Sequence, residues 1–121
     1  MRGLWTGSDL REQQAVGLSP NVPGTEALRA RLRELTGLPE GASSEMVMLA
    51  VHRRMAKAPS VLVAATLEDA LDVAERPNLP GTRDDRRANW SLALPDTIEA
   101  IEAHPLPRAV ATILGRGAAP P

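Results

Sequence analysis

The residues best suited to recognise a ligand lie in a short loop that contains two prolines. Residues 77–82 read Pro-Asn-Leu-Pro-Gly-Thr. Because Pro77 and Pro80 fix φ and Gly81 permits a tight turn, the side-chain amide of Asn78 is expected to keep one orientation. A polar group held so stiffly is typical of recognition. The sequence therefore predicts a binding role for Asn78, with Pro80 and Gly81 shaping its loop.

The sequence contains no pair of carboxylates with the arrangement that glycoside catalysis requires. Asp84 and Asp85 are adjacent in a charge-dense segment, residues 83–87, which is interpreted as an exposed loop or, alternatively, as a functional acidic pair. Catalytic carboxylates in glycoside chemistry face one another from separate elements across about 5 to 9.5 Å. Neighbouring loop residues diverge instead, so the sequence nominates no catalytic residue.

Metal chemistry finds little support in the sequence. The chain has two histidines, His52 and His104, and no cysteine. Neither histidine has a partner at the spacing of a zinc motif. No metal and no organic cofactor is predicted.

The loop must be positioned by the elements before it. Residues 61–65, Val-Leu-Val-Ala-Ala, form a continuous apolar run, which favours a strand buried on both faces. Thr66 offers a capping hydroxyl and Asp69 stands three residues on, so a short helix should begin at Leu67. The prediction is a strand, a short helix and then the rigid loop.

Most of the remaining chain reads as helix. Residues 1–5 show no cap or periodicity and are expected to form a loop. Residues 20–25 nearly repeat the letters of the loop 77–82 and are interpreted as convergent turn chemistry that caps a helix. Apolar spacing and caps predict the helices, which span 9–14, 26–36, 45–57, 95–104 and 107–115.

Composition restricts the class of protein. The 121 residues are 43% hydrophobic and include two Trp but no Phe or Tyr, so the core should be small. With 14 basic and 15 acidic residues, the chain has no strong field for nucleic acid or a membrane surface. No apolar run approaches the roughly 20 residues of a membrane span. We expect a cytoplasmic protein without nucleic-acid or membrane partners.

Several motifs together carry a resemblance to a known family. They are Asn78-Leu79-Pro80-Gly81-Thr82, Asn89-Trp90, Leu67-Glu68-Asp69, Ala58-Pro59-Ser60, and Arg2-Gly3-Leu4-Trp5 with Gly7 and Asp9. In order and spacing they resemble the C-terminal end of the 4-alpha-glucanotransferases, also called amylomaltases or disproportionating enzymes. The resemblance implies transfer of α-1,4-glucan segments between maltooligosaccharides with retention of configuration.

The resemblance also implies a fold and a set of roles. Residues 1–115 would be the C-terminal fragment of a (β/α)8 barrel, with 61–65 as its eighth strand, and 116–121 a disordered tail. The family's catalytic carboxylates precede this region, so the isolated chain is expected to be inactive and to need the missing N-terminal barrel portion as a partner.

Within that picture the substrate-binding residues would be Asn78, Pro80, Gly81 and Trp5. Trp5 is open to two interpretations, a hydrophobic plug or a wall beside the sugar. Trp90 is expected to anchor the loop to the body of the protein. The alternative function is a free-standing helical module that binds a protein or a glucan without catalysis.

Overall fold

The computed structural model describes residues 1–83 and 89–115. Over these ranges the chain is helical, which confirms the mainly helical prediction. The helices are α1 (Arg2–Thr6), α2 (Ser8–Ala15), α3 (Val22–Thr36), α4 (Ser44–Ala56), α5 (Leu67–Ala70), α6 (Ile98–Ala103) and α7 (Pro105–Leu114). None of the helices in the described ranges has both the length and the apolar character needed to cross a bilayer.

Helix α4 is the centre of the fold and packs against α1, α3 and α7. Its Val47 and Met48 side chains are fully buried. Met48 belongs to one apolar cluster and Val47 to another. The buried members of the first are Met48, Ala70, Leu106 and Val110, and those of the second are Trp5, Ala42 and Val47. Medium-sized aliphatic side chains thus supply nearly all of the core, as the composition predicts.

Side-chain caps determine where several helices begin. The Thr66 hydroxyl accepts a hydrogen bond from the Asp69 backbone N–H at 3.2 Å, which confirms the predicted start of α5. Ser43 caps α4 in the same way. Asn21 caps α3, so that helix begins at Val22, four residues earlier than predicted. Each cap satisfies a backbone N–H that has no partner within the helix.

The N-terminal residues were predicted to form a loop, and that prediction is wrong. They form α1, which ends at Gly7 in the left-handed conformation, with φ of 72°. The side chain of Trp5 is 5% exposed, and its indole N–H donates to the carbonyl oxygen of Ala42 at 2.7 Å. The long-range contact of Trp5 stabilises a helix that has no strong local signal.

The predicted strand at residues 61–65 is also wrong. The described residues contain no strand, sheet or barrel, so the expected end of a (β/α)8 barrel is not observed. Val61 is fully exposed and Leu62 is 83% exposed. A strand needs a neighbour for its backbone hydrogen bonds, and the described ranges supply none. An apolar run alone therefore did not make a strand.

The turn between α5 and the loop 77–82 is fastened to α4. Asp72 has φ of 52°, and its carboxylate accepts a hydrogen bond from the Ser44 hydroxyl at 2.6 Å. Arg2 donates to the Asp72 carbonyl oxygen at 3.0 Å. These contacts join α1, α4 and the segment that leads into the loop. Asp84 and Asp85, in the segment expected to be an exposed loop, and the predicted tail 116–121 lie outside the described residues.

Candidate functional site

The loop 77–82 contains a tight turn built by Pro80 and Gly81. The Thr82 backbone N–H donates to the Leu79 carbonyl oxygen at 3.3 Å, and the Thr82 hydroxyl donates to the same oxygen at 2.7 Å. Gly81 has φ of 86°. Proline at the second position and a glycine with positive φ at the third are the pattern of a type II turn. The shaping role predicted for Pro80 and Gly81 thus has a clear local basis.

Asn89 holds this turn closed from a distance. Its side-chain oxygen accepts a hydrogen bond from the Leu79 N–H at 2.9 Å, and its side-chain nitrogen donates to the Thr82 hydroxyl at 3.0 Å. Leu79 itself is 1% exposed. One amide therefore bridges the first and last residues of the turn, while the buried Leu79 side chain anchors it.

Asn78 lies at the entrance of this closed turn and is half-buried. Among the described residues, no hydrogen-bond partner lies within reach of its side-chain amide, although its neighbours Leu79 and Thr82 are paired. An amide offers two donors and an acceptor. The turn thus pairs the polar groups of Leu79 and Thr82, whereas the Asn78 amide has no partner among the described residues.

The similar segment at residues 20–25 uses its asparagine differently. The Asn21 side-chain oxygen accepts a hydrogen bond from the Gly24 N–H at 3.0 Å, as a helix cap. Pro23 and Gly24 lie inside the first turn of α3. Two nearly identical sequences therefore give a helix start at one site and, at the other, a closed turn next to an amide that has no partner among the described residues. The closure by Asn89 distinguishes the two.

Trp90 follows Asn89 and is displayed at the surface next to the loop. Its backbone N–H donates to the Pro77 carbonyl oxygen at 2.7 Å, directly before Asn78. Its φ is 59°, a left-handed conformation that costs a side chain of this kind about 1–2 kcal/mol. The ring is 75% exposed. The expected anchoring of the loop is therefore supplied by the Trp90 backbone and by Leu79, and not by the indole.

Ion pairs secure the segment before the loop. The guanidinium of Arg76 lies 3.6 Å from the Asp9 carboxylate and 3.7 Å from that of Glu12. Both carboxylates belong to α2. The chain thus enters the loop from a point that is tied to a helix, which helps to keep the turn in place.

A cleft of about 280 Å³ opens beside Pro77. Its lining includes Glu68, Glu75 and residues 92–95. A second cleft of about 220 Å³ shares Glu68, Glu75 and Pro77 with the first. The surface near the loop therefore combines apolar walls with carboxylates, which can accept hydrogen bonds from hydroxyl groups.

The structure brings Asn78, Pro80 and Gly81 together, as expected for neighbours in one loop, and places Trp5 in the core cluster with Ala42 and Val47. The buried location of Trp5 is the one expected for a hydrophobic core residue. A role of Trp5 as a wall beside the sugar stays a prediction. Sequence reasoning missed the closure by Asn89. The motif Asn89-Trp90 was visible, but its contact spans ten residues and has no local signal.

The histidines have structural contacts in this fold. His52 is 3% exposed, and its Nδ1 lies 2.8 Å from the Met48 carbonyl oxygen. His104 caps α7 by accepting a hydrogen bond from the Leu106 N–H at 3.1 Å. Across residues 1–83 and 89–115, no cluster of three or more acidic, histidine or cysteine side chains could hold a metal ion.

Comparison with known proteins supports the resemblance at the level of the family. The chain is 33% identical over 103 residues to a 4-alpha-glucanotransferase of Mycobacterium bovis and, at the same identity, to those of two strains of Mycobacterium tuberculosis. The match covers 76% of this chain and 14% of each relative. This chain is thus related to part of a 4-alpha-glucanotransferase.

The similarity has clear bounds. The chain spans about one seventh of the length of these curated relatives. No family model matches the chain, and no solved structure matches it.

Proposed function

We propose that the loop 77–82 binds an α-1,4-glucan during segment transfer of the 4-alpha-glucanotransferase kind. The observation that carries the proposal is the Asn78 amide, which lacks a partner among the described residues although the turn beside it is closed by Asn89. The partial similarity to 4-alpha-glucanotransferases supports the choice of ligand. Hydroxyl groups of a sugar would complete the hydrogen bonds of this amide.

The chain would contribute binding and not the bond-breaking groups. Retaining transfer needs a carboxylate nucleophile and a carboxylic general acid, which form and then resolve a covalent glycosyl intermediate. In this proposal both groups come from polypeptide that corresponds to the rest of the relatives, so the purified chain by itself does not disproportionate maltotriose. Asn78 positions the glucan, and Pro80 and Gly81 hold its backbone.

The energetic role of Asn78 follows from its surroundings. Its amide exchanges water for sugar hydroxyls on binding. Removing it leaves those hydroxyls without partners in the bound complex, which costs about 1–3 kcal/mol, more than the 0.5–1.5 kcal/mol that one neutral hydrogen bond typically contributes. The turn itself is held by Leu79, Thr82 and Asn89, so loss of the Asn78 amide should leave the fold intact.

The test uses a chimera in which this chain replaces the matching segment of a mycobacterial relative. Transfer from maltotriose is measured together with the melting temperature. Asn78→Ala should lower kcat/KM by about 5- to 150-fold at an unchanged melting temperature. Asn21→Ala is the matched control, because it removes a helix cap from a nearly identical motif and should lower the melting temperature only.

Two results would remove this proposal. One is a folded chimera without transfer activity. The other is an Asn78→Ala variant that keeps its transfer kinetics but melts at a lower temperature, because that would make Asn78 a brace of the loop.

A second candidate is a non-catalytic module that binds a protein or a glucan. The exposed side chains of Val61 and Leu62 favour it, because apolar groups displayed together on a surface mark interaction sites. The two candidates differ in the chimera assay. A module without a catalytic context would bind maltoheptaose as the isolated chain, yet would fail to restore transfer in the chimera.

A further inference from the structure

The chain has only two aromatic side chains, and the fold uses them in opposite ways. Trp5 is 5% exposed and fills the core, whereas Trp90 is 75% exposed. Leaving a large ring at the surface of a protein with so small a core forgoes stabilisation, because burying the ring would add to the free energy of unfolding. The display of Trp90 therefore calls for a role outside the core.

The backbone of Trp90 is fixed, so its exposure is a property of the fold. The N–H bonds to the Pro77 carbonyl oxygen at 2.7 Å, and the preceding Asn89 bridges Leu79 and Thr82. A φ of 59° is rare for a bulky residue. Strained backbone held by its surroundings is frequent at ligand sites. The ring is thus presented beside the Asn78 loop on a backbone that is hydrogen-bonded to Pro77.

We propose that the exposed indole of Trp90 is a platform on which one pyranose ring of an α-glucan stacks. The inference rests on the proposed function, since it adds a second contact for the same glucan beside Asn78. One face of a pyranose ring is apolar and packs on an aromatic face, while its hydroxyl edge bonds to polar groups such as the Asn78 amide. Trp90 would therefore be a binding residue and would take no part in bond cleavage.

The cleft that Pro77 lines, whose carbonyl oxygen accepts the Trp90 N–H, carries charges that suit a neutral sugar better than an anionic ligand. Glu68 and Glu75 line the cleft beside Pro77. Carboxylates accept hydrogen bonds from hydroxyl groups and repel phosphates. An exposed indole could also stack on a nucleobase, but these carboxylates disfavour a nucleotide.

The test measures binding of maltoheptaose to the full chain by calorimetry, which needs no signal from tryptophan. Trp90→Gly removes the ring and accepts the positive φ without strain, so the variant should fold at least as well as the parent. It should bind maltoheptaose about tenfold more weakly or worse, the effect of losing one ring contact. Trp90→Phe keeps a ring and should stay within about threefold of the parent.

Fluorescence provides an independent measure. Acrylamide should quench the exposed Trp90 in the free chain, and saturating maltoheptaose should protect it, while the buried Trp5 should be shielded in both states. Cellohexaose, with β linkages, is the control ligand and should protect Trp90 less.

Three outcomes would overturn the platform: no saturable binding of maltoheptaose by the folded chain, equal affinity in Trp90→Gly, or equal affinity for cellohexaose. Failure of the proposed function appears elsewhere, in the transfer kinetics of the Asn78→Ala chimera. Normal transfer there, combined with glucan binding that depends on Trp90, would exclude Asn78 and support the platform.

Discussion

The side-chain oxygen of Asn89 accepts a hydrogen bond from the backbone N–H of Leu79, ten residues earlier in the chain, at 2.9 Å. The same side chain donates to the Thr82 hydroxyl at 3.0 Å. Asn89 thus pairs the polar groups of the turn, and the Asn78 amide, without a partner among the described residues, is the group that we propose binds a glucan. The relationship also fixes the backbone that presents Trp90.

The first prediction concerns this closure. Asn89→Ala should leave the Leu79 N–H without its partner and lower the free energy of unfolding by about 1–3 kcal/mol, measured by urea denaturation. Asn89→Asp is the control, because it keeps an acceptor for the Leu79 N–H and loses the donor to the Thr82 hydroxyl. An Asn89→Ala variant as stable as the parent, with no change in the amide exchange of Leu79, would show that the bridge does not hold the turn.

The second prediction concerns the exposed apolar segment at residues 61–65. Val61→Ser and Leu62→Ser together should change the free energy of unfolding by less than about 0.5 kcal/mol per site, because neither side chain is buried. They should also reduce the binding of a hydrophobic dye. Met48→Ala, in the core, should cost about 2–5 kcal/mol by comparison.

If the double serine variant were instead destabilised as strongly as Met48→Ala, the segment would have found burial in solution. That result would contradict the exposed conformation of Val61 and Leu62. Unchanged dye binding would locate the exposed apolar surface elsewhere.

The third prediction concerns pH and the start of α6. The Glu99 backbone N–H, followed by the Thr97 hydroxyl, holds the pKa of the Glu99 carboxyl below its ordinary value of 4.5. A lowered pKa in the folded state means that the ionised carboxylate stabilises α6 above about pH 4.5, and that this contribution is lost as the pH falls through the folded pKa. Glu99 lies in the first turn of α6, where a negative charge is also favoured by the helix dipole.

A carboxyl titration by nuclear magnetic resonance tests this third prediction. Thr97→Ala should raise the pKa of Glu99 toward 4.5, since it removes one of the two hydrogen bonds. Glu99→Gln should make the amide protection of α6 independent of acid in this range. A pKa of Glu99 that does not respond to Thr97→Ala would eliminate the hydroxyl as a cause.

Local signals in the sequence were enough for the features that depend on a few consecutive residues. Thr66 and Asp69 predicted the start of α5, and the order of Pro80 and Gly81 predicted the tight turn. Caps and turns are decided by hydrogen bonds across two or three residues and by the φ values that each residue permits. These local preferences of caps and turns do not depend on where the segment lies in the tertiary structure.

Tertiary contacts decided the features that the sequence left open or misjudged. Four of the five residues of the apolar run at 61–65 are exposed, because a strand depends on a neighbour, which no property of the run itself can supply. Trp5 became part of a helix and of the core through its bond to Ala42. The Asn78 amide is free of partners among the described residues because Asn89, distant in sequence, completes the turn, whereas Asn21 in nearly the same motif bonds to its own helix. The side-chain types fixed which hydrogen bonds each residue could make, and contacts between residues distant in sequence decided which of those bonds form among the described residues.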